Sequence, residues 1–388
     1  MAHFTTPAHI ITGTRILNEA APYLKAMGNK AFVVTGKHLA VSEMMTKLKD
    51  TLASENISYE IFDGVTGEPT DKMIEQGVSL FKQSASDFII GIGGGSPLDA
   101  AKAIAAMSVN SGKISDYNGV EITGSLPPVA AIPTTAGTGS EATKFTVITD
   151  SEHGIKMLLK GSALIPSLAV VDASFTVSAP SSVTAATGLD ALTHAVEAYT
   201  SKKALPLTDA LAVSAVKRIM KYLPIAYNEP DNLIAREQMS VAALEAGICI
   251  NNSSVTIVHG MSRPIGALFH VPHGMSNAML LKECLSFAVS GAYERFANLG
   301  RETGAAEDMD DDKTAAESFI ASLQEICDIC EIPTPEQYGI NKEEYDSQID
   351  KMAADAIASG SPGNTCRTVT VDDCRQIYKK KSRLAYGV

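Results

Sequence analysis

The chain has 388 residues, 45% of them hydrophobic and 20% charged, enough for a sizeable core and more naturally two domains than one. A formal net charge of −12 without any basic run argues against nucleic acid or an anionic membrane surface as partner. The N-terminus MAHFTTPAHIITGTR lacks a signal-peptide pattern, no apolar run approaches the roughly 18 residues of a membrane span, and six scattered cysteines fit reduced thiols, so a cytoplasmic protein is expected.

In chain order, KAFVV (30–34), SYEIF (58–62), DFIIGIG (87–93), PPVAAIP (127–133) and LAVVD (168–172) read as short strands. Helix-compatible stretches near 40–54, 70–84 and 97–108 separate the first four. Such alternation requires crossover connections and predicts a doubly wound, mostly parallel sheet. After Pro180 the strand signal nearly disappears, and segments such as SSVTAATGLDALTHAVEAYTS carry helical spacing, with Ser181 or Ser182 as the expected cap. Residues 1–182 are therefore read as an α/β nucleotide-binding domain and 183–388 as an all-α domain, with a cleft expected between them. The acidic run EDMDDDK (307–313) reads as a solvated loop. Cys327 and Cys330 form a lone CxxC without a second pair at zinc-ribbon spacing, which reads as core packing.

DFIIGIGGGSPLDAAKAIAA runs strand, glycine loop, helix. Gly93, Gly94 and Gly95 permit close backbone approach, Ser96 suits an N-cap and Pro97 the first helical position. Free N–H groups at that helix end favour a pyrophosphate, although a tight turn explains this segment equally well by itself. The second loop, IPTTAGTGSEAT (132–143), adds hydroxyls at Thr134, Thr135 and Thr138 and tips the reading towards a nucleotide site. At the end of the first expected strand stand Gly36 and Lys37, with no carboxylate to meet a ribose hydroxyl. A 2′-phosphate would meet no repulsion there and Lys37 would pair with it, so NADP(H) is preferred over NAD(H).

The second half concentrates chemistry. In GLDALTHAVEAY, Asp190 and His194 are four apart and share one helix face. HGMSRPIGALFHVPHG (259–274) holds three of the eight histidines, with His259 and His273 each followed by glycine. Three imidazoles and a carboxylate from Asp190, His194, His259 and His273 suit Fe²⁺, Zn²⁺ or a similar ion and poorly suit Ca²⁺ or Mg²⁺. A structural zinc site would use cysteine, and none lies in either segment.

These blocks, GGGSPLDAAK, IPTTAGTGSE, GLDALTHAVEAY and HGMSRPIGALFHVPHG, resemble the iron-containing (group III) alcohol dehydrogenases in order and approximate spacing over nearly the whole chain. The resemblance implies the two-domain plan shared with dehydroquinate synthase, a catalytic metal on Asp190, His194, His259 and His273, and a homodimer or larger homo-oligomer. It carries cofactor contacts to the Gly93–Ser96 loop, Asp99, Thr134, Thr135, Thr138 and Lys156, and it places on Gly36 the position that is often acidic in NAD-preferring members. The implied activity is hydride transfer between NADP(H) or NAD(H) and a small primary alcohol or aldehyde bound to Fe²⁺, with Zn²⁺ as the alternative ion.

One position departs from the family. Where members commonly carry a proton-relaying histidine, this chain has Arg263, too basic to shuttle a proton near neutral pH. His270 either takes that role or only packs near the metal. Phe145 and Val147 are expected to face the cleft and favour a short or medium apolar substrate, whereas Arg263 would suit a hydroxy acid or semialdehyde. Glycerol-type polyol oxidation and a non-catalytic metal-binding or assembly module are the competing readings.

Overall fold

The computed structural model describes residues 3–387. Two compact units emerge, one spanning Thr5–Ala179 and the other built from residues 3–4 and from Pro180 onward.

The first unit is organised by a six-stranded parallel sheet. Its strands are β1 (His9–Gly13), β2 (Lys30–Val34), β3 (Ser58–Phe62), β4 (Phe88–Gly93), β5 (Val129–Pro133) and β8 (Leu168–Asp172), in the order β1-β8-β5-β4-β2-β3. Helices α1 (Ala21–Met27), α2 (Lys37–Ala40), α3 (Glu43–Ser54), α4 (Asp71–Ser84) and α5 (Gly95–Val109) cover it. Every residue of β4, β5 and β8 is buried, which is why these strands read as unbroken apolar runs rather than alternating ones. Period-two geometry splits β2 between two cores: Phe32 and Val34 join Ile74 and Ile104, whereas Ala31 and Val33 join Leu24 and Leu48.

Local expectations needed correction in four places. The helix expected over 40–54 is interrupted, because Ser42 adopts an extended conformation and caps α3 by accepting from Met45 N–H. β1 and an antiparallel hairpin, β6 (Phe145–Asp150) with β7 (Ile155–Lys160), had no strong local signal. Ser96 and Pro97 do not open α5: its N-cap is Gly94, whose extended backbone lets the helix begin at Gly95. Neither Ser181 nor Ser182 caps the first helix of the second unit, since Pro180 occupies the cap and Ser181 is already helical.

The second unit is helical throughout: α6 (Ser181–Tyr199), α7 (Pro206–Asn228), α8 (Leu233–Asn252), α9 (Ile257–Phe269), α10 (His273–Ala288), α11 (Tyr293–Thr303), α12 (Asp312–Ile329), α13 (Lys342–Ala358) and α14 (Val371–Tyr386). Residues 190–199 on α6 are all buried, so the polar groups among them need partners inside the unit. The acidic run is less of a loop than expected: Asp311 caps α12, accepting from the N–H groups of Lys313 and Thr314. Cys327 and Cys330 are buried free thiols at the end of that helix. Among the described residues no single helix is long and apolar enough to cross a membrane.

Candidate metal centre and cofactor loops

The strand order reverses between β2 and β4. From β2 the chain steps outward to β3, then returns to pair β4 on the other side of β2. Loops leaving the carboxyl ends of β2 and β4 must diverge there, and such a switch point is where open α/β sheets bind ligands. Gly36 and Lys37 follow β2, with Gly36 capping α2 and Lys37 exposed. Gly93, Gly94, Gly95 and Ser96 follow β4, and Thr134, Thr135 and Thr138 follow the adjoining β5.

The two loops after β4 and β5 touch. Thr134 N–H donates to the Gly93 carbonyl at 2.8 Å. A Cβ on Gly95 would lie 2.8 Å from Thr138 Cγ2, and one on Gly93, at φ +147°, would lie 2.6 Å from Pro97 Cγ. Glycine is thus required for the close approach, and the first N–H groups of α5 have no helical acceptor.

Two expected cofactor contacts are engaged within the unit. Asp99 accepts from Ser140 Oγ at 2.5 Å and Val147 N–H at 2.8 Å. Lys156 Nζ sits 2.6 Å from Glu68 Oε1 on the exposed hairpin, where Phe145 is half-buried and Val147 exposed. Beneath the threonine loop lies a residue that sequence reasoning passed over. The fully buried Lys102 donates to the carbonyls of Ser140 (3.0 Å) and Phe145 (2.5 Å) and to Thr143 Oγ1 (3.2 Å), and stands 3.5 Å from Asp99. Burial pulls its pKa down against the attraction of Asp99. Burial also pushes the neighbouring Glu141 carboxyl up to about 7, opposed by its backbone hydrogen bond and Lys102. This network ties α5 to the threonine loop and β6.

In the helical unit, one ligand atom each from Asp190, His194, His259 and His273 lies within 4.8 Å of all the others. Asp190 and His194 come from successive turns of α6, His259 from the first turn of α9, and His273 opens α10. The glycines after the two histidines explain the convergence. A Cβ on Gly274 would lie 2.3 Å from the Ala186 carbonyl, so only glycine lets α10 press its first turn onto α6. A Cβ on Gly260 would lie 2.6 Å from Pro362, so α9 is seated equally closely on the 361–364 turn.

Asp190 Oδ1 is 3.8 Å from His194 Nε2 and 3.7 Å from the Nε2 atoms of His259 and His273. These gaps are too long for hydrogen bonds. They approach the ~3.4 Å between donors at the corners of a tetrahedron with bonds of ~2.1 Å. Four donors converging without bonding to one another, largely out of water, fit a divalent cation. Burial pushes the Asp190 carboxyl up, but His194, His273 and His259 and the Asn277 hydrogen bond outweigh it and hold the carboxyl below the usual range. Burial holds His259 well below the ordinary imidazole value, aided by His194 and His273. A neutral His259 has the lone pair a metal needs.

Two supporting residues escaped the sequence reading. Glu197, fully buried, sits with Oε2 2.5 Å from His259 Nδ1, and its Oε1 accepts from Thr256 Oγ1 and Val258 N–H, each at 2.6 Å. That fixes His259 with its other nitrogen towards the cluster. Asn277 Nδ2 donates to Asp190 Oδ1 at 2.7 Å and approaches the Nε2 atoms of His259 and His273 at 3.2 and 3.3 Å. Spacing carried a signal for both: Glu197 lies seven residues after Asp190 on α6, and Asn277 four after His273 on α10. His270 is not among the converging groups; it caps α9 in the left-handed conformation and is exposed. Arg263 stands one turn beyond His259 and donates from Nη1 to Ser361 Oγ at 3.1 Å.

An N₃O cluster with three buried donors and the exposed His273 serves where an alcohol or carbonyl oxygen must be polarised, and a glycine loop at a switch point where a dinucleotide must be held. Both needs meet in a metal-dependent dehydrogenase. The iron-containing alcohol dehydrogenase model matches residues 7–173, and that of the C-terminal part of the Fe-containing alcohol dehydrogenase family matches residues 184–382. The chain belongs to this family and is an oxidoreductase acting on alcohols. It is 35% identical to the NAD-dependent methanol dehydrogenase of Bacillus methanolicus, over 98% of this chain and 99% of that protein. To the NADPH-dependent butanol dehydrogenase of Clostridium saccharobutylicum it is 34% identical, over 98% and 97%. A crystal structure of 1,3-propanediol oxidoreductase superimposes with a TM-score of 0.95 at 33% identity, over 98% of this chain and all of that one.

Proposed function

We propose that the enzyme holds Fe²⁺ on Asp190, His194, His259 and His273 and interconverts small primary alcohols and aldehydes with NADP(H), chiefly as an aldehyde reductase. The observation that carries this reading is the N₃O convergence, three donors buried and His273 open to solvent, a donor set that iron and zinc share. A bound divalent ion would supply Lewis acidity at the substrate oxygen, and the dinucleotide would supply or accept hydride.

The chain's own residues prepare these events. Glu197 holds His259 in the tautomer that presents Nε2, and Asn277 donates to Asp190 Oδ1 so that the carboxylate is already oriented. In the other unit, the backbone of Gly93–Ser96 and the start of α5 bind the pyrophosphate, while Thr134, Thr135 and Thr138 serve the ribose and phosphates. Lys102 and Asp99 keep that threonine loop in place, and Asp99 stands with the cofactor contacts that the loop carries.

Relatives of similar identity use either NAD or NADPH, so the local residues must decide. Gly36 offers no carboxylate to repel a 2′-phosphate, and exposed Lys37 offers a cation, which together favour NADP(H). Six free cysteines, five of them buried, suit a reducing cytoplasm, and a homodimer or larger homo-oligomer is the expected assembly.

The test is anaerobic reconstitution with Fe²⁺ or Zn²⁺, followed by oxidation of NADPH and NADH across a panel of short aldehydes. Iron-dependent turnover preferring NADPH is expected, with Asp190→Ala losing both metal and turnover. Absence of turnover with either ion would overturn the reading, and zinc-dependent oxidation of glycerol faster than of simple alcohols would replace it with a polyol dehydrogenase.

A further inference from the structure

We infer that Arg263 makes this enzyme select short aldehydes carrying a second, singly charged anionic group, a carboxylate or a sulfonate, in place of an apolar tail. The inference rests on the metal centre being the place where the carbonyl is reduced.

On α9, Arg263 follows His259 by four residues, which puts both on one helix face about 6 Å apart along the axis. The guanidinium has five N–H donors, and its one described side-chain hydrogen bond is from Nη1 to Ser361 Oγ at 3.1 Å. Ser361 is itself buried, on the turn that Gly260 admits against α9, so the anchor is firm. No carboxylate pairs with Arg263 among the described ion pairs; burial draws the guanidinium's pKa down, yet part of the side chain stays open to solvent. Glu197 is the negative group whose field reaches it, but both Glu197 oxygens are committed to His259, Thr256 and Val258. Held at one edge and partly open to solvent, a guanidinium suits a planar or tripodal monoanion. One turn of helix limits the substrate to a few carbons between carbonyl and anion. A lone arginine is weak provision for a phosphate dianion.

The test compares kcat/KM of metal-loaded enzyme for succinic semialdehyde (carboxylate), sulfoacetaldehyde (sulfonate) and neutral butanal, in wild type, Arg263→Met and Ser361→Ala. Wild type should prefer at least one anionic aldehyde over butanal, and Arg263→Met should cut that preference about 10- to 100-fold, mainly through KM. Whichever anion loses more identifies the group recognised. A preference for butanal in wild type, or an unchanged ratio in Arg263→Met, overturns the inference. Equal losses for all three aldehydes in Arg263→Met and Ser361→Ala would show a structural tether instead and also overturn it. Calorimetric binding of 4-hydroxybutyrate and isethionate is read separately from turnover. If no aldehyde is reduced, the dehydrogenase reading falls on its own, while anion binding that depends on Arg263 still supports this assignment and equal binding by Arg263→Met refutes it.

Discussion

Replacing Glu197 by glutamine tests whether the group behind His259 sets metal affinity. In the wild type one carboxylate oxygen takes bonds from Thr256 Oγ1 and Val258 N–H and the other faces His259 Nδ1, with no water access. Glutamine has one acceptor oxygen and one NH₂ group. If the oxygen stays with Thr256 and Val258, the NH₂ group faces Nδ1, which must become an acceptor; the proton then moves to Nε2, the nitrogen needed by the metal. If the amide turns over, NH₂ meets Val258 N–H, a buried donor pair that costs about 1–3 kcal/mol. Loss of such a partner weakens metal binding about 10- to 100-fold, or about 1.4–2.8 kcal/mol. Competition with a chelator for Zn²⁺, together with Tm of the metal-free and loaded forms, measures both branches. A Glu197→Gln variant that binds Zn²⁺ within twofold of wild type, with unchanged Tm in both forms, would refute the reasoning.

Gly36→Asp should move cofactor preference towards NADH. A Cβ there sits 3.0 Å from the Val65 carbonyl, so the loop must yield slightly, and a carboxylate near a 2′-phosphate costs about 1–3 kcal/mol. The NADPH/NADH ratio of kcat/KM should fall about tenfold or more; an unchanged ratio would place the 2′-phosphate elsewhere. Glu141 ties stability to pH. With its folded pKa raised from 4.5 to about 7, the folded state holds more protons than the unfolded state between those values, so stability falls as pH rises through that window. The difference is about 3 kcal/mol at most. Glu141→Gln should therefore gain in Tm relative to wild type between pH 5 and pH 8, and a constant difference across that range would show that Glu141 is not held protonated.

Much of the molecule was legible from local pattern. Buried strands such as FIIGIG and VAAIP announce themselves because both faces need apolar side chains, and helix α6 does so through its helical spacing after Pro180. Asp190 and His194 could be paired because four residues on a helix return to one face whatever surrounds them.

What local pattern could not decide depends on which segments meet. β1 lies at a sheet edge with only partly covered residues, and it takes its strand form by pairing with β8, more than 150 residues away. Gly94 rather than Ser96 caps α5, its extended backbone lying beside Thr135 of a loop that only tertiary packing brings there. The strand order that creates the switch point is likewise absent from any single segment. Glu197 and Asn277 were on the page as ordinary polar letters. Only the packing of α9 and α10 onto α6 made them partners of the cluster, because removal from water obliges each buried polar group to find another. Sequence alone determined the buried strands, the helical character of the second half and the chemical types of the donors. Tertiary structure decided their neighbours, because periodicity is a property of one segment and a coordination shell of several.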